Sequence, residues 1–224
     1  MFYGGTFDPV HNGHVAIACA AREACATEIR MLPAADPPHR ALPGASAADR
    51  AAMVALAIAG TPGLVLDLRE LERAGRSWTI DTLQALRDES GPNVPIAWLV
   101  GADSFVGLPS WKAWRELFTL AHFIVAERSG SQLDSGLAPE LGEMLEGRWT
   151  DEVDRLRQSP CGLVLRLRQP LQAHSATDLR QRIADGGTWR ELVPPAVADY
   201  IVEHGLYGVD REAAVIRLQP GASL

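Results

Sequence analysis

The chain has 224 residues, 47% hydrophobic and 22% charged, which suits one large globular domain and excludes wholesale disorder. Its 21 basic and 28 acidic residues give a formal net charge of −7, a poor balance for non-specific nucleic-acid or anionic-membrane binding. The longest apolar stretch, Ala51 to Ala59, is too short to cross a bilayer, and the opening MFYGGTFDPV does not read as a signal peptide.

Taken in chain order, apolar runs alternate with helical patterns. Met1 to Tyr3 reads as the end of a first strand, Gly13 to Ala26 as a helix and Ile29 to Leu32 as a second strand. A Pro-rich loop over 34–46 leads to a helix from Ala47 to Ala59, with Ser46 as its N-cap. Leu64 to Leu68 reads as a strand, Thr79 to Glu89 as a helix, and Pro95 to Val100 and His122 to Ala126 as buried strands. Residues 129–160 break the rhythm and read as a surface insertion. Leu163 to Leu167 returns to strand character, and Thr177 to Ala184 and Pro195 to His204 read as closing helices. This alternation predicts an α/β fold: a Rossmann-like, doubly wound parallel sheet with helices on both faces and a small C-terminal helical region. One domain is expected over 1–207, with 208–224 as a tail. Cys19, Cys25 and Cys161 form neither an even set nor a CxxC motif, so a reduced, cytoplasmic protein is expected.

The chemistry concentrates at the first turn, Gly4-Gly5-Thr6-Phe7-Asp8-Pro9-Val10-His11-Asn12-Gly13-His14. Two glycines let a ligand approach the backbone closely, and the N–H groups at the start of the following helix favour a phosphate. His11 and His14, three apart at that helix start, can face one anion. The spacing is not G-x-G-x-x-G, so the dinucleotide fingerprint is absent. About 160 residues on stands Ser175-Ala176-Thr177-Asp178-Leu179-Arg180. Its hydroxyls can cap a helix, and Arg180, one turn in, offers a fork of donors to phosphate oxygens.

His11-Asn12-Gly13-His14 resembles the HxGH motif of the nucleotidylyltransferase superfamily, and the downstream segment resembles its second signature, Ser-x-Thr-x-x-Arg. Several other stretches are similar to the bacterial nicotinate-nucleotide adenylyltransferase family: Pro37-Pro38-His39-Arg40, Ser77-Trp78-Thr79-Ile80-Asp81-Thr82-Leu83, Gly101-Ala102-Asp103-Ser104, Pro109-Ser110-Trp111, Arg128, and an ending from Val193 to Tyr207 that looks structural. The resemblance implies transfer of AMP from ATP to nicotinate mononucleotide, giving deamido-NAD and pyrophosphate. It implies His11, His14 and Arg180 as catalytic groups. ATP would be held by Gly4, Gly5, Thr6, Phe7, Gly13, His14, Gly101, Asp103, Ser175, Thr177 and Arg180. The mononucleotide would be held by His39, Arg40, Thr79, Trp111 and Arg128, with Trp114 in the core. Mg²⁺ is expected on the β and γ phosphates, through ATP and water rather than a protein cage.

The chain departs from the family in starting almost on the motif, in carrying His174 where Ile is common, and in its longer tail after Tyr207. Three rival readings are weaker. Pantetheine-phosphate adenylyltransferase does not fit the SWTIDTL and PSWKAW stretches. A non-catalytic nucleotide-binding regulator does not fit intact His11, His14 and Arg180. An RNA-related role does not fit a short, acidic chain without a basic stripe.

Overall fold

A computed structural model describes residues 1–36, 44–73, 75–127, 133, 136–169 and 175–209. Among the described residues seven strands form one sheet: β1 (Phe2–Gly5), β2 (Ile29–Pro33), β3 (Leu64–Leu66), β4 (Ala97–Gly101), β5 (His122–Ala126), β6 (Trp149–Thr150) and β7 (Val164–Leu167). Their order is β3-β2-β1-β4-β5-β7-β6, and every pairing is parallel. The α-helices that cross between them or follow them are α1 (Asn12–Cys25), α2 (Ala47–Ile58), α3 (Arg69–Glu72), α4 (Thr79–Ser90), α5 (Ala102–Val106), α6 (Trp114–Leu120), α7 (Pro139–Leu145), α8 (Val153–Gln158), α9 (Ala176–Ala184) and α10 (Pro195–His204).

The two-residue period of a strand explains why both faces need cover. On one face Leu99, Ile124 and Leu165 pack with Ile17, Ala21, Met53, Val54, Leu179 and Ile201, so α1, α2, α9 and α10 share one core. On the other, Trp98, Val100, Phe123, Val125 and Val164 pack with Leu83, Leu86, Leu117 and Phe118 of α4 and α6. The closing helices are therefore part of the main core: α10 lies against α2, and Tyr200 Oη donates to Asp49 Oδ1 at 3.0 Å. Ser46 caps α2 by accepting the Asp49 N–H at 3.1 Å.

The described part of 129–160 does more than decorate the surface. Leu133, Leu141 and Leu145 are buried in the second core, and β6 pairs with β7 as the sheet's edge. Polar composition concealed this, because only isolated leucines point inward and β6 is two residues long. The sequence pattern predicts no helix at α3 or α5; each runs five residues or fewer, below the window in which periodicity speaks.

His122 begins β5 and is fully buried. Its Nδ1 accepts the Leu163 N–H at 3.0 Å, and its Nε2 pairs with the Ser159 carbonyl at 2.8 Å as donor. That arrangement requires the neutral ring, and burial pushes its pKa below the ordinary histidine value. Below pH about 6.5 the unfolded chain takes up a proton that the native ring resists, so stability falls as pH drops toward the depressed native value. Thermal unfolding at stepped pH should show the wild-type advantage over His122→Phe intact above that pH and shrinking below it.

Candidate active site

Strand order reverses beside β1. The chain runs outward to β2 and β3 on one side and to β4, β5 and β7 on the other. The carboxyl ends of β1 and β4 therefore splay their connections apart and leave a crevice, where open α/β sheets bind ligands. A cleft opens there, lined by Gly4, Gly5 and Thr6 from the first turn, Gly101 at the end of β4 with Asp103 and Ser104 beyond it, Ser77 and Thr79 at the start of α4, and Trp111. Seven of the residues predicted from sequence meet in this one cleft: Gly4, Gly5, Thr6, Thr79, Gly101, Asp103 and Trp111.

The glycines are there for close approach. A Cβ on Gly4 would stand 2.3 Å from Cζ2 of Trp98, and one on Gly5 would stand 2.8 Å from Cζ of Phe7. Phe7 itself does not line the cleft. Its ring is buried and meets the His14 ring edge-on at 5.1 Å, so its side chain supports the turn. The His11 and His14 rings stack with centroids 3.7 Å apart. His11 is the N-cap of α1, and its N–H donates to His14 Nδ1 at 3.3 Å. With Nδ1 accepting, the ring proton sits on Nε2, the nitrogen suited to donate to an anion. Gly13 is buried in the first turn of α1, and Trp114 is buried in the core as expected.

Ser175 caps α9 through a reciprocal box with Asp178: its hydroxyl accepts the Asp178 N–H at 3.1 Å and donates to the Asp178 carboxylate at 2.6 Å. Arg180 reaches from α9 to the first turn, where Nη1 donates to the Asp8 carbonyl at 2.6 Å and lies 3.5 Å from the Asp8 carboxylate. Its Nη2 lies 3.3 Å from the Thr177 hydroxyl. The two signatures, remote in sequence, thus touch. His39, Arg40 and Arg128 lie outside the described residues.

Four contributors were not singled out in the sequence. Asp8 is buried and accepts the N–H groups of Gly44 (2.8 Å) and Ala45 (3.1 Å) and the Tyr207 hydroxyl (2.9 Å). Arg50 is fully buried and donates to the carbonyls of Thr6, Ala35 and Ala45, tying α2 to the first turn. Its signal was a charge on the otherwise apolar face of Val54 and Ala57. Glu70 lines the cleft, accepts from the Thr82 hydroxyl at 2.7 Å, and is pushed above the ordinary glutamate pKa by burial. Trp98 forms a wall, with its indole N–H lacking a protein partner.

A paired-histidine helix start at the switch point of a parallel sheet, touched by an arginine from a second capped helix, is a set of donors suited to the phosphates of a nucleotide. Residues 2–182 match the model of the cytidylyltransferase-like family. The chain belongs to that family, and within it to the nicotinate-nucleotide adenylyltransferases. A Stenotrophomonas maltophilia protein named probable nicotinate-nucleotide adenylyltransferase is 58% identical over 212 residues, covering 92% of this chain and 96% of its own. A namesake from Xylella fastidiosa strain 9a5c is 46% identical over 213 residues, covering 93% and 96%. The fold is similar to that of Plasmodium falciparum nicotinic acid mononucleotide adenylyltransferase complexed with NaAD, with TM-score 0.70, 18% identity, and 93% and 97% of the two chains covered.

Gly4→Ala tests the close approach at the turn. Trp98 is held in the core and cannot swing away, so urea unfolding should show a loss of about 1–3 kcal/mol. An unchanged midpoint would mean that the strand can slide off the indole.

Proposed function

We propose that this chain transfers AMP from ATP to nicotinate mononucleotide, releasing pyrophosphate and forming deamido-NAD. The observation that carries the reading is that one cleft joins the glycine turn to Thr79 and Trp111, so a phosphate-binding half and an aromatic-acid-binding half face each other. Membership of the family supports it.

The nucleophile is a phosphate oxygen of the mononucleotide, anionic near neutral pH, so no general base is required. That oxygen attacks the α-phosphorus of ATP, the bond to the bridging oxygen breaks, and pyrophosphate leaves with the electron pair. The protein's task is to bring two polyanions together and stabilise the departing charge. His14 Nε2, with His11 beside it, serves the α-phosphate. The Gly4–Thr6 backbone lines the turn, while Gly101 and Asp103 border the nucleotide. Ser175, Thr177 and Arg180 hold the β and γ phosphates. Thr79 stands at the first turn of α4, a twelve-residue helix whose N–H groups and dipole favour the nicotinate carboxylate, with the ring against Trp111. His39, Arg40 and Arg128 complete the mononucleotide side in this reading.

The site's donors are imidazoles, N–H groups and a guanidinium, which hold anions. Among the described residues no group of three or more His, Cys, Asp or Glu side chains is placed to hold a metal ion. This donor set fits Mg²⁺ carried by the ATP phosphates and water, with which it would offset the charge of the leaving pyrophosphate. No helix among the described residues is long and apolar enough to cross a membrane, and Cys19, Cys25 and Cys161 are unpaired, which supports a reducing, cytoplasmic setting.

Pyrophosphate release tests the reading, with ATP plus nicotinate mononucleotide, nicotinamide mononucleotide or phosphopantetheine. The first should win, and equal kcat/KM for the acid and the amide would remove the assigned role of α4. His14→Ala should lower kcat about 10²-fold or more with an unchanged circular-dichroism spectrum. Near-normal turnover would contradict the role given to His14.

A further inference from the structure

Tyr207 closes the family-like ending that reads from sequence as structural. The structure brings it to the active site instead. It follows α10 and the left-handed Gly205, and adopts a left-handed backbone itself (φ 59°, ψ 22°). Such a conformation is disfavoured for a bulky side chain and persists where surroundings enforce it. Here the enforcing contact is visible. Tyr207 Oη donates to Asp8 Oδ1 at 2.9 Å, and burial beside that carboxylate raises the phenol's pKa, so the hydroxyl stays a donor.

Asp8 connects everything else at this point. Its Oδ1 also accepts the Ala45 N–H, and its Oδ2 accepts the Gly44 N–H and lies 3.5 Å from Arg180 Nη1. Gly44 is wedged between the two partners: a Cβ there would stand 2.9 Å from Tyr207 Cδ1 and 3.3 Å from Arg180 Cδ. The Asp8 side chain is 5% exposed, whereas that of Arg180 is 34% exposed. The carboxylate is thus the fixed end and the arginine the end that reaches solvent. Arg50 adds a second guanidinium from α2 whose charge acts on both Asp8 and Tyr207.

We infer that Tyr207 is a positioning residue for adenylyl transfer: by holding Asp8 it aims Arg180 at the leaving phosphates. The inference rests on the proposed contact between Arg180 and the ATP phosphates. A tyrosine beyond the last core helix then tunes a site built from the opposite end of the chain. Its ring packs against the core, while its hydroxyl is what the phosphate site uses.

Tyr207→Phe separates the two, because it keeps the ring and removes only the hydroxyl. The melting temperature should stay close to wild type, while KM for ATP rises roughly tenfold and KM for the mononucleotide changes little. In an Arg180→Ala background the same substitution should have little further effect on KM for ATP, because the group it aims is gone. Asp8→Asn, which weakens the same link from the other side, should reproduce the ATP-selective defect. Unchanged ATP kinetics in Tyr207→Phe would overturn the inference. So would a loss fully additive with Arg180→Ala, or one spread equally over both substrates. Arg180→Ala with wild-type kinetics would instead overturn the phosphate assignment of Arg180 itself.

Discussion

A buried carboxylate holds this site together. Asp8 sits in the turn after β1 and receives hydrogen bonds from Gly44 and Ala45, just before α2, and from Tyr207 beyond α10; Arg180 of α9 stands over it. These groups lie up to 199 positions apart in the chain. An aspartate so enclosed must have its oxygens satisfied, and each donor that satisfies one is fixed in turn. The turn that carries His11 and His14 and the helix that carries Arg180 are therefore placed relative to each other by a shared polar contact as well as by packing.

The sheet supplies the other constraint. Parallel strands covered on both faces leave their carboxyl ends free for ligands, and reversal of strand order beside β1 opens a crevice there. Gly4 and Gly5 let Trp98 and Phe7 pack where side chains would otherwise stand, so the backbone is brought to the crevice. An acidic chain can serve phosphorylated substrates in this way. The net charge of −7 belongs to the whole chain, whereas the cleft is lined largely by small and hydroxyl-bearing residues with Glu70 and Asp103, and Arg180 reaches the first turn from α9.

Much of this was legible in the sequence. β5 and α10 coincide with the predicted spans, and the other long elements shift by a few residues at their ends, where fraying and caps blur periodicity. The two signatures were visible because each joins a helix start to residues that bind anions. Asp8, Arg50 and Tyr207 were not singled out, although Asp8 lies inside the turn motif and Tyr207 inside the closing one. Their roles come from partners far along the chain, and no local pattern encodes a contact between residues 8 and 207. The same holds for β6 and the leucines around it, where two residues of strand and scattered apolar positions carry no period.

In the proposed reaction catalysis is positioning: the mononucleotide phosphate attacks ATP directly, with no side chain taking the adenylyl group between. The most direct test is the stereochemical course at the α-phosphorus, read by phosphorus NMR of the dinucleotide made from ATP carrying a chiral α-thiophosphate. A single in-line displacement predicts inversion of configuration. Retention would mean two displacements through an adenylylated residue, and would contradict the account.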